Sequence, residues 1–333
     1  MAPRRSAPTR TLRPPNAEVI AVNKRMVCAL LALGALGGLG AGPARAGSEV
    51  EDGLATLWEV LWHQSGVPTR VVRWEGDIQV RVRGVNLAAH REPVLKAMRA
   101  VTQEAGVRLV DVTDQPGQPA NLDVEITPDT ALEDSQPCVT MLEFRRETRI
   151  DSARMQMRGR DVWRCAHHEA MHVMGVRGHP GGRTVLSYFP TRVDALLPLD
   201  RVMLRAWYSP RMRGGMTPFE ALPVLADELV AAEPEPARAA ATAARDRFFA
   251  ATLDQMDAYA SGRGDVPAIV RRSGKSTDDG VRQGRGEMSY FLGVAWLEGV
   301  TAPAPDRARA IRWFEQAAGA GHRNAQARLA GMR

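Results

Sequence analysis

The chain has 333 residues, of which 44% are apolar and 5% aromatic, with 44 basic against 38 acidic side chains. The formal net charge of +6 lies entirely in residues 1–46, which hold seven basic residues and one acid. The remaining chain balances at 37 of each sign, so its charge offers no argument for a nucleic-acid partner.

Residues 1–46 read as an upstream extension and signal peptide. Lys24-Arg25-Met26 is a basic start, Val27 to Gly42 is an apolar run, and Ala44-Arg45-Ala46 is a small-residue cleavage site. Met26 reads as the start, with residues 1–25 ahead of it. Cleavage after Ala46 implies a periplasmic or secreted protein. The apolar run is too short and glycine-rich for a stable membrane span, and a retained N-terminal anchor is the alternative.

About 287 residues then remain, enough for one core domain and a smaller second unit. Leu54 to His63 has Leu54, Leu57, Trp58 and Leu61 on one helical face. Arg70 to Trp74 and Asp77 to Arg83 read as strands, the second alternating Ile78, Val80 and Val82 with Gln79 and Arg81. Leu87 to Ala105 is an amphipathic helix ended by Gly106. Val107 to Val112 and Leu122 to Ile126 are further strands, and Val139 to Phe144 is another candidate. Asp161 to Met174 has the pattern of a helix. Residues 47–230 form the expected main domain, and Glu233-Pro234-Glu235-Pro236 followed by alanines marks 231–244 as a linker entering a helix. Ser261 to Glu287, rich in Gly, Arg and Ser, reads as a loop.

Residues 245–333 read as helical. Leu292 to Val300, then Asp306, Ala310, Trp313, Ala317-Ala318 and Gly321, then Ala325 and Leu329, resemble the Sel-like class of tetratricopeptide-type repeats. One unit, or one and a half, is visible. This region is therefore either a groove for a cell-envelope protein partner or a helical cap on the main domain.

Cys28 departs with the signal, leaving Cys138 and Cys165, an even pair in an oxidising compartment. A disulfide between them would tie the helix at 161–174 to the strand region before it.

That helix carries His168-Glu169-Ala170-Met171-His172. Residues four apart share one helix face, so both imidazoles can address one ion, with Glu169 beside them to reach a water. Gly175 ends the helix and lets the chain turn back, and His179 can add a third ligand. Four of the seven histidines lie between His167 and His179. His167 is one step off the ligand face and reads as a surface residue or one that lies behind the ligands.

The pattern resembles the metzincin metalloproteases, whose signature is HExxHxxGxxH, and departs from it by one residue, here HExxHxxGxxxH. Leu186-Ser187-Tyr188 matches the turn below the metal in that family, with leucine in place of methionine. Leu196 to Tyr208, with Asp200 near its start as a cap or first-turn acid, resembles the closing helix. Cys165, the Gly175 turn, Ser187-Tyr188-Phe189 and Tyr208-Ser209-Pro210-Arg211-Met212-Arg213-Gly214-Gly215-Met216-Thr217 resemble an exported bacterial family known only as a domain of unknown function with a metzincin-like core.

The resemblance implies an α+β fold: a metzincin-like mixed sheet with a zinc-binding helix, followed by the small all-α region. It implies an exported zinc metallopeptidase acting on a peptide or protein substrate. His168, His172 and His179 would bind Zn2+, Glu169 would act as general base, and Tyr188 would stabilise the oxyanion. Tyr188 could equally be a half-buried turn aromatic. The rival is a catalytically weak or inactive metzincin-like scaffold, with or without a structural metal, docking cell-envelope proteins through its tail. It draws on the extra residue before His179 and the missing methionine. Three imidazoles converging on one point beside an open cleft would favour the enzyme, and a third ligand that cannot converge would favour the scaffold.

Overall fold

The computed structural model describes residues 43–332, except 64–65, 147, 188–193, 273–277 and 303. The apolar stretch Val27 to Gly42 and Tyr188 thus lie outside the described residues. The fold is α+β, a five-stranded mixed sheet with helices on one face and beyond one end.

Helix α1 (Pro43–Glu59) begins one residue before the expected cleavage site and stops four residues short of the expected His63. It ends there because Val60 to Trp62 turn into a short bridge between Trp62 and Pro68. Its apolar side, Val50, Leu54, Leu57 and Trp58, is buried together with Val60, Leu61 and Trp62.

The sheet has the order β2-β1-β3-β5-β4, with β1 (Ile78–Gly84), β2 (Leu109–Asp111), β3 (Leu122–Thr127), β4 (Cys138–Arg145) and β5 (Arg149–Arg158). All neighbours run parallel except β4, which is antiparallel to β5 and forms an edge. Alternation decides the two faces. Ile78, Val80, Val82, Leu122, Val124, Ile126, Ala153, Met155 and Met157 are buried. On the polar face Arg83 reaches Asp123 and Glu125, and Gln156 donates to Glu125. Helices α2 (Leu87–Ala105) and α3 (Val162–Val173) supply the apolar cover.

Four expectations are corrected. Arg70 to Trp74 is extended but contributes no ladder strand. Val71 pairs both ways with the turn at 215–216, whereas Arg73 bridges to the start of β5, so its hydrogen bonds go to two partners. Strand β5, which the sequence reading passed over, lies between β3 and β4. The expected linker is largely helix: α5 (Pro218–Ala232) and α6 (Glu235–Ala260) are separated only by Glu233-Pro234. Proline is tolerated in a first helical turn, where its missing N–H has no intrahelical partner, so Pro236 does not break α6. The expected loop 261–287 contains α7 (Ala268–Arg272) and the start of α8 (Asp278–Glu298). Gly284 sits inside α8 because a Cβ there would meet Tyr259 Oη at 2.6 Å. The glycine marks close helix packing rather than a loop.

Helices α4 (Pro198–Tyr208), α9 (Arg307–Gly319) and α10 (Arg323–Ala330) complete the chain. The helical tail shares one hydrophobic core with the sheet region. Trp58 packs on Phe219 at 5.4 Å, Trp62 packs on Tyr259 at 6.4 Å, and Thr301 Oγ1 donates to Phe219 O at 2.7 Å. Among the described residues, no helix is long and apolar enough to cross a membrane.

Cys138 on β4 and Cys165 on α3 form a disulfide, closing a loop of sequence separation 27. Cross-linking a loop of that size is worth roughly 3–4 kcal/mol in the chain-entropy model. The double variant Cys138→Ala/Cys165→Ala should lose about that much in urea unfolding. Thiol titration of the denatured, unreduced protein should find at most the Cys28 thiol, and free thiols from the pair would refute the bridge.

Candidate metal centre

Helix α3 is anchored at both ends. At its start, Arg158 Nε donates to Asp161 at 2.6 Å and Arg164 pairs with Asp161 at 2.8 Å. At its end, two of the carbonyls a helix leaves without internal partners are satisfied from outside. Trp74 Nε1 donates to Val173 O at 2.8 Å and Tyr208 Oη donates to Met174 O at 2.9 Å. Val162, Cys165, Ala166, Ala170, Met171 and Val173 are buried, which fixes the rotation of the helix. The opposite side then presents His168 and His172 one turn apart.

Gly175 adopts φ +93, and a Cβ there would overlap Val72 O. The chain reverses at this point. His172 Nδ1 lies 2.7 Å from Val176 O, the next residue. Gly178 packs against the backbone of Glu59 and Val60 so closely that no side chain fits. Gly181 N–H donates to Glu59 Oε2 at 2.6 Å. This loop carries His179 to the two helical histidines and absorbs the extra residue of the HExxHxxGxxxH spacing.

The three Nε2 atoms form a nearly equilateral triangle. His168 to His172 is 3.1 Å, His172 to His179 is 3.1 Å, and His168 to His179 is 3.2 Å. Nδ1 of His168 lies 2.9 Å from Val185 O, as Nδ1 of His172 faces Val176 O. A carbonyl can only accept, so these Nδ1 atoms are protonated and donate, leaving the Nε2 lone pairs facing inward. Burial lowers the pKa of all three rings, that of His179 to about 3, so they are neutral near pH 7. Three neutral imidazole donors at this spacing suit a tetrahedral ion with ~2.0–2.1 Å Zn–N bonds, leaving a fourth position. Each of the three residues keeps a part of its surface exposed.

Glu169 is 3% exposed, and burial pushes its carboxyl up to about 7. Thr140 Oγ1, on the edge strand β4, donates to Glu169 Oε2 at 2.7 Å. The Cys138–Cys165 bridge lies two residues earlier on the same strand. Strand β4 is thus pinned over α3 at two successive inward positions.

Two contributors, His63 and Thr140, escaped the sequence reading, and Asp200 does more than was expected of it. Asp200 is fully buried on α4 and receives Leu197 N–H at 2.8 Å, which fits the expected first-turn acid. It also receives Val185 N–H at 3.2 Å, and Val185 O holds His168. The residue therefore orients a ligand at one remove. His63, after α1, lies near enough to lower the pKa of His172 and His179 further. Thr140 had no signal beyond its place in a strand candidate. His167 is buried, not on the surface, and lies outside the triad; burial, then Lys96, lowers its pKa.

Because Gly178 has no room for a Cβ, Gly178→Ala should displace His179. Affinity for added Zn2+, measured against a competing chelator, should fall by roughly 10- to 100-fold, as for other changes behind metal ligands. Unchanged affinity would remove the packing argument.

Comparison with known proteins yields one family. A model described as "Protein of unknown function (DUF2927)" matches residues 60–227, half of the chain. The matched segment contains the sheet, α2 to α4, the three histidines and most of α5, and ends before the helical tail. No curated protein and no solved structure matches the chain. The chain belongs to the DUF2927 family.

Proposed function

We propose that the protein is an exported zinc-dependent peptidase of metzincin type. The observation that carries the reading is the convergence of His168, His172 and His179 Nε2 at 3.1–3.2 Å, next to the buried Glu169. Supporting it, β4 is a free edge lying over the metal helix, as expected of a metzincin-like sheet that takes a peptide as an added strand. The disulfide fits an oxidising compartment.

Zinc, when bound, supplies Lewis-acid activation of a water and of the scissile carbonyl. The chain does the rest. His168, His172 and His179 hold the ion through Nε2, and the Val185 and Val176 carbonyls fix the first two rings. The Glu169 carboxylate accepts the water proton at one oxygen and passes it to the leaving amine nitrogen. A carboxyl raised to about 7 suits both transfers near neutrality. Thr140 holds Oε2 in place during them. Among the described residues β4 has a strand partner on its β5 side alone, so its other side offers backbone N–H and C=O groups to an extended peptide, with Met141 and Phe144 exposed along it.

The scaffold reading drew on the extra residue before His179. That residue is accommodated by the Gly178 turn, so the spacing no longer argues for it. Leu186, in place of methionine, is fully buried in the turn at 184–187 and fills the same apolar role.

Elemental analysis should find about one zinc per chain. His168→Ala should abolish binding. Glu169→Gln should retain zinc and fold, yet lose peptide cleavage by roughly 100-fold or more. If zinc-loaded wild type cleaves nothing in a mixed peptide library, or both proteins cleave equally, the peptidase reading gives way to the scaffold.

A further inference from the structure

The helical tail holds a cavity of about 400 Å³ between α8 and the end of α9, lined by Asp278, Val281, Arg282, Arg285, Ser289 and Gln316. That is within the size range of small-ligand sites. Positions 278, 281, 282, 285 and 289 recur at helical spacing, so one face of α8 forms a continuous wall. The cavity lies outside the segment matched to the family and apart from the histidine cluster.

Most of its polar groups are already engaged. Gln316 Nε2 donates to Ala260 O at 2.7 Å and to Ser289 Oγ at 3.0 Å. Ser289 Oγ donates to Arg285 O at 2.7 Å. Arg282 pairs with Asp279 at the surface. These bonds join α6, α8 and α9 and make the floor rigid.

Arg285 differs from its neighbours. Its guanidinium lies over the Tyr259 ring, 5.7 Å from the centroid. Its Nε is buried without a hydrogen-bond partner, and no carboxylate among the described residues pairs with its guanidinium. That Nε is closed off, whereas the side chain as a whole is half-buried, so the two Nη groups are the ones left for a ligand. The cation–π contact with Tyr259 restricts the guanidinium before any ligand arrives.

We propose that this cavity binds a carboxylate group, held by the Arg285 guanidinium. The fork matches a planar carboxylate through two parallel hydrogen bonds. Asp278 on the wall adds one negative charge, which disfavours a multiply charged phosphate and leaves room for a single anion. The carboxylate can come from a small organic acid or from the C-terminus of a peptide. Neither source depends on the metal centre.

The test is equilibrium binding to the full chain by calorimetry, with acetyl-pentaalanine bearing a free C-terminus, its C-terminal amide, sodium acetate and inorganic phosphate as probes. The expected result is saturable binding of the free-acid peptide, weakened at least about tenfold in the amide and in Arg285→Gln, a difference typical of a lost charged pair. Acetate that displaces the peptide at equal concentration would assign the site to small acids; acetate that needs a large excess would assign it to peptide termini. Ala320→Phe, at an exposed position on the rim, fills the cavity without altering charge and should weaken binding as well, which covers a failure of Arg285→Gln to fold. Equal binding of acid and amide, tighter binding of phosphate, no binding of any probe at millimolar concentration, or folded variants that bind like wild type would each overturn the proposal.

Discussion

Three imidazole lone pairs aimed at one point repel one another, and much of the domain serves to keep them there. Each ring that faces a carbonyl through Nδ1 is turned by a backbone group that is itself held. Val176 O is placed by the reversal at Gly175, and Val185 O by the Asp200 carboxylate. Burial then keeps the rings neutral, so the repulsion is between dipoles rather than full charges. A cation at the centre converts that repulsion into attraction.

The same constraint explains why distant segments meet at α3. Trp74 and Tyr208 close the helix from either side, and Arg73 ties their segments together. Its Nη1 donates to Met212 O at 2.7 Å, and its guanidinium lies 4.8 Å from the Tyr208 ring. The segment from Tyr208 to Thr217 pairs with Val71, and Thr217 then caps α5 through Glu220. The tail joins this support indirectly. Gly178 rests on α1's last residues, and α1 is packed against Phe219 and, through Trp62, against Tyr259 of α6. Arg272 of α7 also pairs with Glu59 at 2.5 Å, the residue that receives Gly181 N–H. A tail beyond the family segment thus helps position the loop carrying the third histidine.

Legibility followed the reach of each signal. The amphipathic helix at 87–105 and the alternating strands at 78–83 and 122–126 were readable because their burial pattern is local and periodic. Strand β5 was not: Arg, Met, Gln and Ala have weak strand preference, and its extended state comes from hydrogen bonding to β3 and β4 on both sides. The alternation of Ala153, Met155 and Met157 with Arg154 and Gln156 was the available clue. Arg70 to Trp74 failed oppositely, since a plausible strand pattern cannot say which partner receives its hydrogen bonds. Pro236 and Gly284 read as breaks, yet the first lies in a first helical turn and the second at a close helix crossing, which are properties of neighbours.

By itself the sequence determined the two helical histidines, their glutamate, the pairing of the two cysteines and the α+β class, because residue spacing on a helix and strand alternation are geometric consequences of the backbone. Only the tertiary structure decided that His179 reaches the same point across an unusual spacing, that Thr140 braces Glu169 and Asp200 braces His168 through Val185, and that the tail shares the core. These contacts of Thr140, Asp200 and the tail depend on which surfaces touch across large sequence separations, and contact of that kind is selected by packing and hydrogen-bond satisfaction of the whole molecule.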